Sequence, residues 1–168
     1  MKLIKFLFVF FTLVILGLYG YLFSLDGNIT LSAELNTEIP EPVAFKQLIL
    51  TTTHRPYSGA QALDSIRIRL VYFKKDKPLA VTYRPVADFN RFRLKLLPVD
   101  SSRGIQPFKS ITHTVYLQKL VDGTTNIRWE LRYQIKGIYP RLLNHLFWEP
   151  QLRSFLADKI NELKAFYH

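Results

Sequence analysis

Four histidines are the first residues to weigh for chemistry: His54, His113, His145 and His168. A metal site needs imidazoles or carboxylates grouped at short, recurring spacings, and none of the four stands at such a spacing from another or from a nearby carboxylate. The chain has no cysteine, which removes thiol nucleophiles, disulfides, zinc–thiolate sites and lipoprotein anchoring. There is no phosphate-cradling glycine loop and no G-x-S-x-G elbow. The residues therefore imply no metal and no cofactor, and they nominate no catalytic group. One histidine nevertheless keeps unusual company. His113 lies in "ITHTVYLQKL", and the next segment, "TTNIRWELRYQIKG" (124–137), sets Ile127, Trp129, Leu131, Tyr133 and Ile135 against Arg128, Glu130, Arg132, Gln134 and Lys136. Strict alternation of this kind is a strand with one apolar and one charged face.

Register decides which face His113 joins. A two-residue Asp122-Gly123 turn would pair Val115 with Glu130 and Leu117 with Arg128, mixing charge into an apolar face. A one-residue slip flips every side chain, so the hydrophobic pattern can overrule the commoner turn. A three-residue loop, Val121-Asp122-Gly123 with Gly123 left-handed, pairs Val115 with Trp129 and Leu117 with Ile127. His113 then falls on the apolar face opposite Leu131 and diagonal to Tyr133. Two readings stay open for these polar groups. Each satisfies a hydrogen bond inside a dry core, or they line a cavity and orient a mostly apolar ligand.

The elements that must position this face read as follows. "NITLSAELNTEI" is a first strand, and "PEPVAFKQLIL" is a helix with Pro40 and Pro42 at its start. "THRPYSGAQALD" is loop-like, and strands are expected at 65–73, 78–85, 91–97, 110–121 and 124–136. The period then changes. "YPRLLNHLFW" and "PQLRSFLADKINELKAFY" are helical, with a break or kink expected at Pro150 near Glu149. In the last helix Leu152, Phe155, Leu156, Ile160 and Leu163 form one stripe, with Arg153, Asp158, Lys159, Glu162 and Lys164 mostly away from it. An antiparallel sheet with one apolar face needs a cover, and this helix is the longest available. The candidate cavity residues are thus His113, Val115, Trp129, Leu131 and Tyr133 from the sheet and Phe155, Leu156 and Ile160 from the helix.

The amino end carries "FLFVFFTLVILGLYGYLF" (6–23) without a charge, long enough at about 1.5 Å per residue to cross a bilayer core of about 30 Å. A cleaved signal peptide is the rival, but the segment ends in bulky Tyr19, Tyr21, Leu22 and Phe23, which favours an uncleaved anchor. Residues 1–24 are read as the anchor and 25–168 as the domain. Lys2 and Lys5 precede the span while Asp26, Glu34, Glu38 and Glu41 follow it, so the positive-inside rule places the carboxy-terminal domain outside the cytoplasm, on a single-pass inner-membrane protein.

By layout, "ITLSAELNTEIPEPVAFKQL" and "ITHTVYLQKLVDGTTNIRWELRYQIKG", followed by the long final helix, resemble the START-like, or polyketide cyclase/lipid-transport (SRPBCC), superfamily over roughly residues 29–166. The resemblance implies an α+β helix-grip fold, a curved antiparallel sheet wrapped around a long carboxy-terminal helix, behind the transmembrane helix. It implies an apolar or lipid-like ligand, with some members enzymes. "TTTHRPYSG" stands where that family often carries a tryptophan-bearing segment, and no universal catalytic residue exists to carry over.

The formal charge of +10 favours an anionic partner. Arg67, Arg69, Arg91, Arg93, Lys95, Arg128, Arg132 and Lys136 are expected to point away from the helix. They form either a solvated face or a contact surface for anionic lipid or an acidic protein. Export and the inward placement of the aromatics argue against nucleic acid. Three functions follow in order: a membrane-anchored binding module, an envelope assembly protein with a filled core acting through its basic surface, and an enzyme of the polyketide cyclase type.

Overall fold

A computed structural model of the chain describes residues 2–54, 60–64, 67–72, 79–99 and 108–167. The uncharged amino-terminal run forms helix α1 (Lys2–Ser24), and none of its apolar window Ile4–Ser24 is buried. It is long and apolar enough to cross a membrane. The rest is α+β: β1 (Asn28–Thr37), α2 (Glu41–His54), β2 (Ala60–Asp64), β3 (Arg67–Val71), β4 (Ala80–Asp88), β5 (Arg93–Pro98), β6 (Ser110–Lys119), β7 (Thr125–Gln134), α3 (Ile138–Leu143), a π-helical turn (Asn144–Trp148) and α4 (Glu149–Tyr167). The strands make one antiparallel sheet in the order β1-β7-β6-β5-β4-β3-β2.

The β6–β7 hairpin takes the odd loop. Val115 pairs with Trp129, Leu117 with Ile127 and His113 with Leu131. Leu120 N–H donates to Thr124 O at 2.8 Å, leaving Val121, Asp122 and Gly123 as the loop, with Gly123 at φ 88°. The Asp122 carboxylate accepts from the Thr124 amide (3.0 Å) and hydroxyl (2.7 Å), and these bonds lower its pKa. Glycine supplies the left-handed residue at no Cβ cost.

One expectation is corrected here, and another takes a definite form. The "THRPYSGAQALD" segment is not all loop: α2 runs on to His54, and Ala60–Asp64 become edge strand β2 against β3. Threonines are poor helix formers, yet the helix runs through Thr51 and Thr52, whose hydroxyls donate to the carbonyls of Gln47 and Leu48 at 2.6 Å each. β2 is five residues long with two alanines, too little apolar pattern to be seen without its partner. At Pro150 the disturbance expected near Glu149 is present as a widened turn rather than a break. Proline cannot donate to the carbonyl four residues back, and the turn before it widens instead, with Glu149 N–H donating to Asn144 O.

Helices α2 and α4 share one buried cluster with the sheet's apolar face, through Ala44, Phe45 and Leu48, and through Leu152, Phe155, Leu156, Ile160 and Leu163. The Tyr167 hydroxyl donates to Ala44 O at 2.9 Å and ties the end of α4 to the start of α2. Between α1 and β1 the chain is fastened. Arg141 of α3 donates to Leu25 O at 3.1 Å, and Ile135 N–H donates to Gly27 O at 2.7 Å. A Cβ at Gly27 would sit 2.7 Å from Ile135 O and 2.8 Å from the Arg141 guanidinium, so only glycine fits this crossing.

Candidate functional site

Parity puts His113 among apolar neighbours, and the structure gives both its nitrogens a partner. Its ring is fully buried; Nδ1 lies 3.0 Å from Trp129 Nε1, and Nε2 lies 2.6 Å from the Tyr72 hydroxyl. The Tyr72 hydroxyl bonds in turn to that of Tyr83. Rings close around the chain: Phe155 of α4 has its centroid 4.9 Å from Tyr72 and 6.1 Å from His113, and Tyr72 stacks on His113 at 5.7 Å. Side chains from β3–β4, β6, β7 and α4 thus converge on one point.

The direction of this chain follows from donor chemistry. An indole N–H only donates, so His113 Nδ1 is an acceptor and the neutral ring carries its proton on Nε2. Nε2–H then donates to Tyr72. Burial lowers the His113 pKa to about 3, which agrees with a ring that stays neutral. Burial, then the neighbouring Tyr83, hold the Tyr72 pKa well above the ordinary tyrosine value, and burial raises that of Tyr83. Both hydroxyls keep their protons. Trp129, His113, Tyr72 and Tyr83 bring one hydrogen each, and only three bonds join them. One tyrosine hydrogen therefore remains without an acceptor among the described residues.

A second polar pair sits where β7 meets the π turn. The Tyr133 hydroxyl donates to Asn144 Oδ1 at 3.1 Å; burial pushes the Tyr133 pKa up to about 12, against a smaller lowering by that bond. Phe108 packs edge-on against both Tyr133 (5.1 Å) and Trp148 (6.0 Å). The wide turn is what carries Asn144 inward, buried in a segment whose other members are half-buried or exposed.

All eight sequence-derived cavity candidates (His113, Val115, Trp129, Leu131, Tyr133, Phe155, Leu156 and Ile160) are buried, and the hydrophobic ones belong to one cluster. Sequence reading missed Tyr72, Tyr83, Asn144 and Lys159. The parity that selected His113 was available for the tyrosines, since Tyr72 alternates with Ile68 and Leu70, and Tyr83 with Val81. Lys159 corrects the reading that put it away from the stripe. It is 1% exposed, with Nζ 2.9 Å from Glu162 and 5.5 Å from the Phe155 ring centroid. A long aliphatic stem lets a lysine join an apolar stripe where a carboxylate three residues on meets its ammonium. Among described residues no group of three His, Asp or Glu could hold a metal ion.

The basic candidates are distributed on the other side. Arg67 and Arg69 are exposed between the buried Ile68 and Leu70. Arg93 pairs with Asp88 at 3.5 Å, and Lys95 is half-buried. Arg128 and Arg132 are drawn onto the buried Glu130, at 3.3 and 2.8 Å, and Arg128 also reaches Glu34 at 3.5 Å. Arg91 lies in the β4–β5 turn and Lys136 beyond the end of β7. Three of these charges are therefore engaged within the sheet.

Comparison with solved structures now bears on the architecture. A protein of Thermus thermophilus superposes with a TM-score of 0.63 at 15% identity, over 82% of this chain and 95% of that one. The Zhui aromatase/cyclase of a Streptomyces species matches with a TM-score of 0.57 at 10% identity, over 82% and 94%. The chain has the helix-grip fold. Norcoclaurine synthase of Thalictrum flavum, in complex with dopamine and hydroxybenzaldehyde, shares that fold with a TM-score of 0.60 at 8% identity, over 83% and 86%. No protein-family model and no curated protein sequence matches the chain. In helix-grip terms, the Trp129–Tyr83 chain lies between the curved sheet and the gripped helix α4.

Proposed function

We propose that this is a membrane-anchored binding module, facing the periplasm, for an apolar or lipid-like molecule that presents one hydrogen-bond acceptor to the tyrosine pair. The observation that carries this reading is the tyrosine hydrogen left without an acceptor among the described residues, in an apolar, aromatic surround. A buried donor without a partner costs about 1–3 kcal/mol, so a carbonyl or hydroxyl oxygen delivered there recovers that cost. A histidine with a pKa near 3 and tyrosines held protonated are poor acids and bases near neutral pH, which favours holding over reacting. The helix-grip neighbours point the same way, one of them being a complex with two aromatic small molecules.

Native mass spectrometry of the detergent-extracted protein, with organic extraction of what co-purifies, tests the reading. A reproducible lipid-sized adduct is expected. Tyr83→Phe, which moves the spare donor, is expected to weaken its retention about 5–10-fold, the worth of one hydrogen bond. A clean apoprotein would instead favour the assembly protein with a filled core. The topology is supported by the unburied span and its flanking charges, Lys2 and Lys5 before it and Asp26, Glu34, Glu38 and Glu41 after. A reporter fused after His168 should be active only outside the cytoplasm. A mature chain beginning near Asp26 would show that the segment is removed.

A further inference from the structure

Three apolar side chains on the helical segment next to α1 are uncovered: Tyr139, Leu146 and Phe147 are 69%, 55% and 56% exposed. They fall on α3 and the π turn, the segment that Arg141 fastens to Leu25 at the end of α1. The fastening is tight. Ile135 N–H holds Gly27 O, Gly27 admits no side chain, and α1 touches α3 directly, with Leu22 half-buried at its base. Only Leu25, Asp26 and Gly27 separate α1 from β1, so the domain is held close to the end of α1. The same corner is basic. Lys109 and Lys136 are exposed there, brought near each other by the 2.7 Å bond from Lys109 N–H to Gln134 O.

We propose that Ile138–Trp148 lies in the headgroup layer of the bilayer that α1 crosses, with Tyr139, Leu146 and Phe147 at the level of the upper acyl chains and Lys109 and Lys136 on anionic headgroups. The proposal rests on the reading of α1 as a membrane span. Aromatic and aliphatic side chains flanked by lysines suit the interface, where an apolar body is buried and the cation stays wet. The π turn is then shared between two environments. Its exposed Leu146 and Phe147 meet lipid while Asn144 and Trp148 face Tyr133 and Phe108 inside the domain. This seats the interior of the fold beside the acyl chains, the phase in which an apolar ligand is dissolved.

The chain has no cysteine, so a single introduced one reports one position. Leu16→Cys, Leu146→Cys and Asn90→Cys would each carry an environment-sensitive dye, on full-length protein in nanodiscs of phosphatidylethanolamine and phosphatidylglycerol. Asn90 is exposed in the β4–β5 turn, at the other end of the sheet from Gly27. Nitroxide on lipids at shallow and deep positions serves as quencher. The dye at position 146 is expected to be quenched severalfold more than that at position 90, best by the shallow quencher, while position 16 responds best to the deep one. If position 146 behaves like position 90 while position 16 is quenched, the span stands and the docking is overturned. If position 16 is not quenched either, the span fails and the docking falls with it.

Discussion

Trp129→Ala is expected to lower the free energy of unfolding by about 3–5 kcal/mol, enough to consume a third or more of the stability of an ordinary domain. Trp129 is 1% exposed and heads the largest fully buried side chains. Its removal leaves a cavity that the paired strands β1 and β6 on either side of β7 cannot close. It also strips His113 Nδ1 of its donor at full burial. Trp129→Phe separates the two effects. It keeps most of the ring volume and loses the indole N–H, so its cost should be the smaller one of an unmet acceptor, about 1–3 kcal/mol. Urea unfolding of the detergent-solubilised protein, followed by circular dichroism, measures both. A loss below about 1 kcal/mol for the alanine variant would show that Trp129 borders open space and has few contacts to lose. Ligand retention should then fall together with it.

What made this residue legible was parity. Alternation in 124–137 assigned two faces, and the need to match Ile111, Val115 and Leu117 selected an odd loop over the commoner turn. The structure pairs Val115 with Trp129 and sets Gly123 at a positive φ, so the inward face of β7 and the position of His113 follow from sequence alone. Partners were harder. Tyr72 and His113 are 41 residues apart, and no local pattern reports which inward side chains of a curved sheet meet across it. The inward parity of Tyr72 and Tyr83 could be read; their convergence on His113 could not.

Two further features depend on tertiary balance. Lys159 reads as solvent-facing because lysine is seldom buried, and the proximity of Glu162 and the Phe155 ring helps make its buried position acceptable. Pro150 announces a disturbance without stating its form. A break would have unfastened α3 from α4, whereas one widened turn keeps the path helical and turns Asn144 toward Tyr133. β2 escaped notice because an edge strand of five residues draws its stability from the neighbour it pairs with.

His113 makes the domain acid-sensitive, and the sign of the effect is determined by its surroundings. Its folded pKa is about 3 against 6.5 for the free side chain, with burial as the cause. Between those values the unfolded chain binds a proton that the folded chain refuses. The stabilisation is therefore complete above about pH 6.5 and is lost as pH falls toward 3, at up to about 1.4 kcal/mol per pH unit. Among the described residues the rings and hydroxyls against it are those of Tyr72, Tyr83, Trp129 and Phe155, none of which offers a carboxylate to rescue the imidazolium. Protonation at Nδ1 would moreover set a second donor against the Trp129 N–H. His113→Gln isolates this contribution, because an amide can also accept from Trp129 and donate to Tyr72 while having no proton to gain. The variant should be less stable than the parent at pH 7.5, yet its stability should fall less steeply between pH 6.5 and 4. The two proteins differ in no other titratable group, so the difference in slope reports His113 alone. Parallel slopes, measured by urea unfolding at half-unit steps of pH, would mean that the buried ring accepts its proton without loss, and would refute the donor order assigned to the whole chain from Trp129 to Tyr83.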